Sequence, residues 1–250
     1  MNIFDILIVQ PIFNLLVGLY SVIPGGDFGI AIIIFTILIR FAMYPLVKKQ
    51  LHQVKKMRVL QPELERIKKQ TKGNKQQYGL LAMELYKKHD VSPFRTIGIL
   101  IIQLPIFIAL YHVIQILTQQ HDKIAKYTYS FLENIPAIEQ IIKHPDELNQ
   151  KLFGLFDLTK HAFNGNDIDL FLVLLAIVAA ATQFIMSKQT MPHSGAKRSL
   201  KDILSDASAG KEADQSEINT IIMGKMIYVL PFFMLFIMLN LPGAIALYYA

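Results

Sequence analysis

Residues 28–47, FGIAIIIFTILIRFAMYPLV, are almost wholly apolar and carry a single arginine, Arg40, well inside the stretch. A helix of about 20 residues can cross the roughly 30 Å hydrocarbon core of a bilayer. An arginine at its centre costs roughly 2.5–3.5 kcal/mol, and it cannot lose its proton to escape that cost. The charge therefore needs water, a counter-ion or a transient ligand, which implies a buried cavity. The alternative is that Arg40 snorkels over roughly 10 Å to the interface, which is a strained distance.

The composition indicates a membrane protein. Of the 250 residues, 53% are hydrophobic and 18% are charged, below the quarter that is typical of soluble domains. Further apolar stretches occupy residues 96–117, 168–186 and 219–239, and another begins at 242–250. We predict an all-α membrane protein with five spans in one domain. The residues after Pro242 are too few to cross a bilayer, so we expect the last span to continue beyond this sequence.

The first 24 residues are apolar but are interrupted by Asp5, Gln10, Pro11 and Asn14. This pattern predicts an amphipathic helix in the membrane interface, ended by the turn at Pro24-Gly25-Gly26. A short additional span is the alternative. The chain has no cysteine, which excludes disulfides, thiolate metal sites and a cysteine nucleophile.

Residues 48–95 carry thirteen Lys and Arg residues against four acids. Apolar residues recur there at the three- and four-residue spacing of a helix, and Gly73-Asn74 signals a turn before a second helix that ends near His89-Asp90. We predict a basic helical hairpin, with Pro62 starting or bending a helix. Aromatic residues for base stacking are too few for direct nucleic-acid recognition. A hairpin that faces lipid head groups, or docks a ribosome or targeting factor, fits this composition better.

The distribution of basic residues predicts the topology. Residues 48–95 and the polar loop 187–218 are predicted to be cytoplasmic because cytoplasmic loops are rich in Lys and Arg. The N-terminus and the connection 118–167, with five Lys and seven acids, are then outside. Within this connection we expect two short amphipathic segments on the surface. The C-terminus of the complete protein would be cytoplasmic.

Several motifs occur in a fixed order along the chain. These motifs are Thr36-x-x-x-Arg40, Tyr44-Pro45-Leu46, Leu60-Gln61-Pro62-Glu63-Leu64, Leu85-Tyr86-Lys87-Lys88-His89, Ser92-Pro93, Gln103-Leu104-Pro105-Ile106-Phe107-Ile108-Ala109-Leu110-Tyr111 and Leu241-Pro242-Gly243-Ala244-Ile245-Ala246-Leu247-Tyr248-Tyr249. Together they resemble the YidC/Oxa/Alb membrane protein insertases over roughly residues 12–250. The length resembles the compact forms of that family.

The resemblance implies a five-span fold whose hydrophilic groove opens to the cytoplasm and the lipid but is closed to the outside. Arg40 matches the arginine that lies in the groove of the family, and Thr36, Gln183 and Tyr249 match positions that line it. We keep Gln103 among the groove candidates, although an interhelical hydrogen bond is the simpler interpretation for it. No residue is predicted to be catalytic or to bind a metal.

The implied function is insertion of nascent membrane proteins without an energy source in the chain, since no nucleotide-binding loop is present. The expected partners are the nascent proteins and the lipid of a bacterial plasma membrane. A ribosome, a targeting factor and a Sec-type translocon are further candidates, and the sequence leaves open whether the protein acts alone or beside a translocon. No cofactor is expected. An intramembrane protease lacks support, because the spans contain no H-E-x-x-H motif and no Asp pair. The alternative is a small-solute or anion transporter that uses the intramembrane arginine.

Overall fold

The computed structural model describes residues 2–71, 74–92, 98–165, 167–190 and 215–250. The helices are α1 (Gln10–Val22, continuing a π-helical turn at Asp5–Val9), α2 (Phe28–Gln70), α3 (Lys75–Lys88), α4 (Gly98–Thr118), α5 (Ile124–Tyr127), α6 (Pro136–Lys143), α7 (Leu170–Thr190), α8 (Gln215–Asn240) and α9 (Gly243–Tyr249). Two antiparallel hairpins pair β1 (Lys151–Leu152) with β2 (Phe156–Asp157), and β3 (Phe163–Asn164) with β4 (Asp167–Ile168). This is the predicted all-α membrane protein.

Three helical segments of the described chain are long and apolar enough to cross a membrane: Asp5–Val22, Phe28–Gln70 and Leu170–Gln189. Gln103–Thr118 in α4 and Ile227–Asn240 in α8 are shorter apolar segments. The N-terminal segment therefore has the length of a span, although the sequence favoured an interfacial helix. Most of the loop predicted at residues 187–218 lies outside the described residues.

The first predicted span and the first hairpin helix are one continuous helix, α2. Pro45 and Pro62 both lie inside it, so the expectation that Pro62 starts a helix is wrong. The change of composition at residue 48 is a change from an apolar to a basic surface along the same helix. Chain contacts divide the protein into two units, with residues 1–44, 100–182 and 233–250 in unit 1, and residues 45–99 and 183–232 in unit 2.

Unit 2 contains the predicted hairpin, made of the basic part of α2 and α3. Asn74 is the N-cap of α3, and its side chain accepts a hydrogen bond of 3.1 Å from the Gln77 N–H. Gly73, the other residue of the predicted turn, lies outside the described residues. A small apolar cluster joins the helices around Leu60, Leu85 and Val91. The helical spacing seen in the sequence therefore forms this contact.

The core of unit 1 is built from α1, the apolar part of α2, α4, α7, α9 and the connection 118–167. The connection contributes the apolar faces of the two segments expected in it, residues 131–142 and 152–163. Its first amphipathic segment contains α6, which buries Ile138 and Ile141. Its second segment contains the β1–β2 hairpin and buries Leu152 and Leu158, because the tight turn between the strands returns the chain to the core.

The connection also caps two helices of unit 1. The N–H of Phe28, at the start of α2, donates to the carbonyl of Asn149 at 3.2 Å. At the start of α9, the N–H groups of Gly243 and Ala244 donate at 2.9 Å to the carbonyls of Lys160 and Leu158. The first N–H groups of a helix have no partner within it, so these carbonyls satisfy donors that would otherwise be unpaired.

The N-terminal helix contacts the connection near its beginning, middle and end. The Asp5 carboxylate accepts a hydrogen bond from the Tyr127 hydroxyl. The pKa of Tyr127 is raised, mainly by burial and in addition by the charge and hydrogen bond of Asp5. Asn14 is buried; its Nδ2 donates to the Tyr127 carbonyl at 2.7 Å, and its Oδ1 accepts from the Tyr129 N–H at 2.7 Å. The Tyr20 hydroxyl accepts from the Asn149 N–H at 3.0 Å. A buried asparagine thus fixes α1 alongside the connection.

We expect Asn14→Ala to destabilise the protein by about 2 kcal/mol or more, because it leaves the Tyr127 carbonyl and the Tyr129 N–H without their partner. The measurement is the free energy of unfolding in detergent. Asn164→Ala is the matched control, since Asn164 is exposed and bonds only locally to the His161 carbonyl. Equal losses for the two variants would contradict a structural role for Asn14.

Candidate functional site

Arg40 lies on α2 in unit 1 and is half-buried. Its guanidinium carbon is 5.7 Å from the centroid of the Tyr248 ring on α9. This is a cation–π geometry, in which the negative face of the ring attracts the cation by about 2 kcal/mol where water is excluded. Tyr248 is itself buried, and its ring centroid is 6.1 Å from that of Phe35 on α2. The Tyr248 ring that contacts Arg40 is therefore also packed against Phe35, on the same helix as Arg40.

The charge of Arg40 is not neutralised by an acid within the described part of the chain. The salt bridges found there are His121–Asp146 and Lys143–Glu139, and neither involves Arg40. An arginine presents five N–H donors in a planar fork that suits a carboxylate. In the described part of the chain, the Arg40 guanidinium contacts an aromatic ring and forms no salt bridge with a carboxylate.

Tyr249 and Gln103 form the second part of the site. Gln103 Nε2 on α4 donates to the Tyr249 hydroxyl at 3.0 Å and lies 3.4 Å from the Tyr248 hydroxyl. The Tyr249 ring is 6.1 Å from Phe107 and 5.1 Å, edge to face, from Tyr248. The interhelical hydrogen bond expected for Gln103 is therefore present, and it links α4 to α9.

Thr36 lies one turn before Arg40, so the two share a face of α2. Its hydroxyl donates to the Ile32 carbonyl at 2.7 Å. Because the hydroxyl proton is used within the helix, Thr36 offers an acceptor and no donor to a ligand. Thr36 is thus a half-buried acceptor on the same face of α2 as Arg40.

Gln183 belongs to unit 2. Its Nε2 lies 3.4 Å from the hydroxyl of Ser187, one turn later on α7, and Ser187 is buried. The structure thus places Arg40, Gln103, Tyr248 and Tyr249 in one connected set of contacts, with Thr36 beside it.

Tyr248 is the residue that the sequence analysis missed. The motif that ends in two tyrosines had suggested a role only for Tyr249. A signal was available, because an arginine in an apolar span without an acidic residue nearby in sequence favours an aromatic partner. Spacing alone does not show which of the two adjacent tyrosines faces α2 and which faces α4.

The hydrogen bond between Gln103 and Tyr249 can be measured with a double-mutant cycle. Gln103→Leu and Tyr249→Phe keep side-chain volume and ring contacts, so the cycle isolates the bond, and we expect a coupling of about 0.6 kcal/mol. Tyr111→Phe is the matched control on α4, because its hydroxyl bonds Gln115 instead. Coupling near zero for Gln103 with Tyr249, or equal coupling with Tyr111, would contradict this assignment.

Comparison with known proteins identifies the family. The model of the 60Kd inner membrane protein family matches residues 18–250. The membrane protein insertase YidC of Tolumonas auensis is 43% identical over 104 residues, which are 42% of this chain and 19% of that protein. The YidC of Fusobacterium nucleatum is 46% identical over 90 residues, 36% of this chain and 44% of that protein.

The matched residues span less than half of each of these two relatives. The family match, in contrast, covers nearly all of this chain. It confirms the resemblance that the ordered motifs indicated, and the chain belongs to the 60Kd inner membrane protein (YidC/Oxa) family.

Proposed function

We propose that the protein is a membrane protein insertase in which a hydrophilic groove, open to the cytoplasm and to lipid, receives nascent membrane proteins and releases their helices sideways into the bilayer. The observation that carries this proposal is Arg40. It is half-buried in an apolar helix, rests on the Tyr248 ring, and has no acidic partner in the described part of the chain. The names of the relatives and the family match agree with it.

In the proposed mechanism, Arg40 attracts acidic residues in the short external tail of a substrate. The attraction is stronger than in water because the surroundings have a low effective dielectric constant. Thr36, Gln103, Gln183 and Tyr249 offer hydrogen bonds that lower the desolvation cost of drawing a polar tail part-way across. No covalent step is needed, so none of these residues acts as a catalyst.

The driving force is the burial of the substrate's apolar helix in lipid, at roughly 25 cal/mol for each Å² removed from water. The attraction to Arg40 has to be reversible for the tail to leave on the other side. A permanent carboxylate beside Arg40 would compete with the acidic tail, whereas an aromatic face leaves the N–H fork able to bind one. The cation–π contact thus suits a transient ligand.

The proposed topology places the spans at residues 28–47, 96–117, 168–186 and 219–239, with a fifth beginning at 242–250. The hairpin at 48–95 is cytoplasmic, and the connection 118–167 is outside.

Residues 1–24 form an interfacial helix in this topology. The contacts of the N-terminal helix with the connection at Asp5, Asn14 and Tyr20 support this placement, because a spanning helix would contact the connection at one end only. A bacterial plasma membrane, a ribosome, a targeting factor and a Sec-type translocon complete the proposed setting.

The proposal is tested with full-length protein reconstituted in liposomes and a single-span substrate that carries an acidic tail. We expect Arg40→Ala to lose insertion of this substrate while insertion of a neutral-tailed version is less affected. Arg40→Lys should retain part of the activity if charge suffices, and lose it if the planar fork is needed. Arg66→Ala is the matched control, since Arg66 is exposed on the basic part of α2.

Unchanged insertion by Arg40→Ala would remove Arg40 from the mechanism and leave groove shape as the active element. If folded wild-type protein inserted nothing but allowed flux of a small anion, the transporter alternative would replace the insertase. Both outcomes are measured in the same liposomes.

The Tyr248 contact makes a further prediction for the same assay. Tyr248→Leu should lower insertion of the acidic-tailed substrate, because it removes the aromatic face that holds the guanidinium in place. Tyr248→Phe keeps that face and should insert nearly as well as the wild type. A loss of insertion that is equal in the two variants would show that the hydroxyl, and not the ring, is what matters.

A further inference from the structure

We propose that the two β-hairpins of the external connection form a lipid anchor that inserts into the bilayer leaflet on the side where α2 and α7 begin. The anchor consists of Phe153, Leu155, Phe163 and Ile168. All four side chains are exposed, with Phe153 at 64% and Leu155 at 74%. Large apolar side chains grouped on a surface of this kind mark an interaction site.

The turn between β1 and β2 presents apolar side chains outward. Phe153 has a φ of 53° and Gly154 a φ of 70°. A left-handed backbone is unfavourable for a bulky side chain, and Gly or Asn would be the ordinary choice at that position. Leu152, the neighbour of Phe153, is buried in the core. The hairpin thus divides its apolar residues between the protein interior and an exposed tip.

Contacts at both ends of the hairpin fix the tip near the starts of two spans. Leu152 packs closely on Gly29, the second residue of α2, where an added Cβ would come within 2.5 Å of Leu152 Cδ1. The Phe156 ring stacks on that of Phe171, the second residue of α7, with centroids 3.6 Å apart. The exposed tip therefore lies beside the ends of helices that begin to cross the bilayer.

The second hairpin continues directly into a span. Phe163 and Ile168 are directly paired across β3 and β4, so their side chains share one face. Ile168 comes two residues before Leu170, the exposed first residue of α7. Lys151 and Lys160 are exposed nearby and could reach lipid phosphates.

This continuity with the apolar surface of α7 favours lipid over a protein partner. Phenylalanine and leucine are among the side chains that membrane-bound segments bury at the boundary between head groups and acyl chains. Because the same connection caps α2 and α9 through its carbonyls, the anchor would hold the caps of both helices against the leaflet.

The absence of tryptophan from the chain gives a direct test, since one introduced tryptophan is the only such fluorophore. Phe153→Trp and Leu155→Trp are made separately in the full-length protein and reconstituted in phosphatidylcholine vesicles with brominated acyl chains. We expect blue-shifted emission and several-fold stronger quenching by the brominated lipid than for Asp146→Trp. Asp146 is the matched external control because its side chain is 91% exposed.

Two outcomes would overturn the anchor. Quenching by aqueous acrylamide as strong as in Asp146→Trp would place the tip in water. Protection from both acrylamide and brominated lipid would place it against another protein, such as a second copy of this chain. Phe163→Trp serves as an additional variant, and cooperative unfolding of each variant in detergent shows that the fold is intact.

Discussion

The structure depends on how a fixed positive charge is held inside an apolar helix. Placing an arginine at the centre of a span costs roughly 3 kcal/mol, and contact with an aromatic face offsets part of that cost. The contact of Arg40 with Tyr248 thus makes the charge tolerable without neutralising it. Such a contact leaves the N–H groups of the guanidinium able to bind a further ligand.

The Tyr248 ring can do this only if α9 is held in place, and the connection 118–167 holds it. Lys160 and Leu158 supply carbonyls to the first N–H groups of α9, while Asn149 does the same for α2, which carries Arg40. Gln103 then fixes the other end of α9 to α4 through the Tyr249 hydroxyl. The position of the ring over the guanidinium therefore results from polar contacts on two sides of a short helix.

Much of this could be predicted from the sequence, because length and hydropathy determine which segments can cross a bilayer. Arg40 stood out since a charge in an apolar stretch is rare, and Gln103 since an amide there needs a partner. The sequence left open whether Pro62 starts a helix or bends one, because a proline ends many helices but is tolerated in others, and α2 continues through it. The β-hairpins of the connection 118–167 were not predicted, because strands of two residues carry a weak periodic signal. The contact with Tyr248 depends on long-range packing, which no local pattern reports.

The placement of the two tyrosines suggests why both are needed. Adjacent residues of a helix point about 100° apart, so a pair of tyrosines can meet two different neighbours. Tyr248 faces Arg40 and Phe35 on α2, while Tyr249 faces Gln103 and Phe107 on α4. The short helix α9 thereby joins α2 and α4 through rings and one hydrogen bond. The Tyr248 ring that packs α9 against α2 also contacts the guanidinium, so the packing of α9 and the position of the Arg40 charge depend on the same contacts.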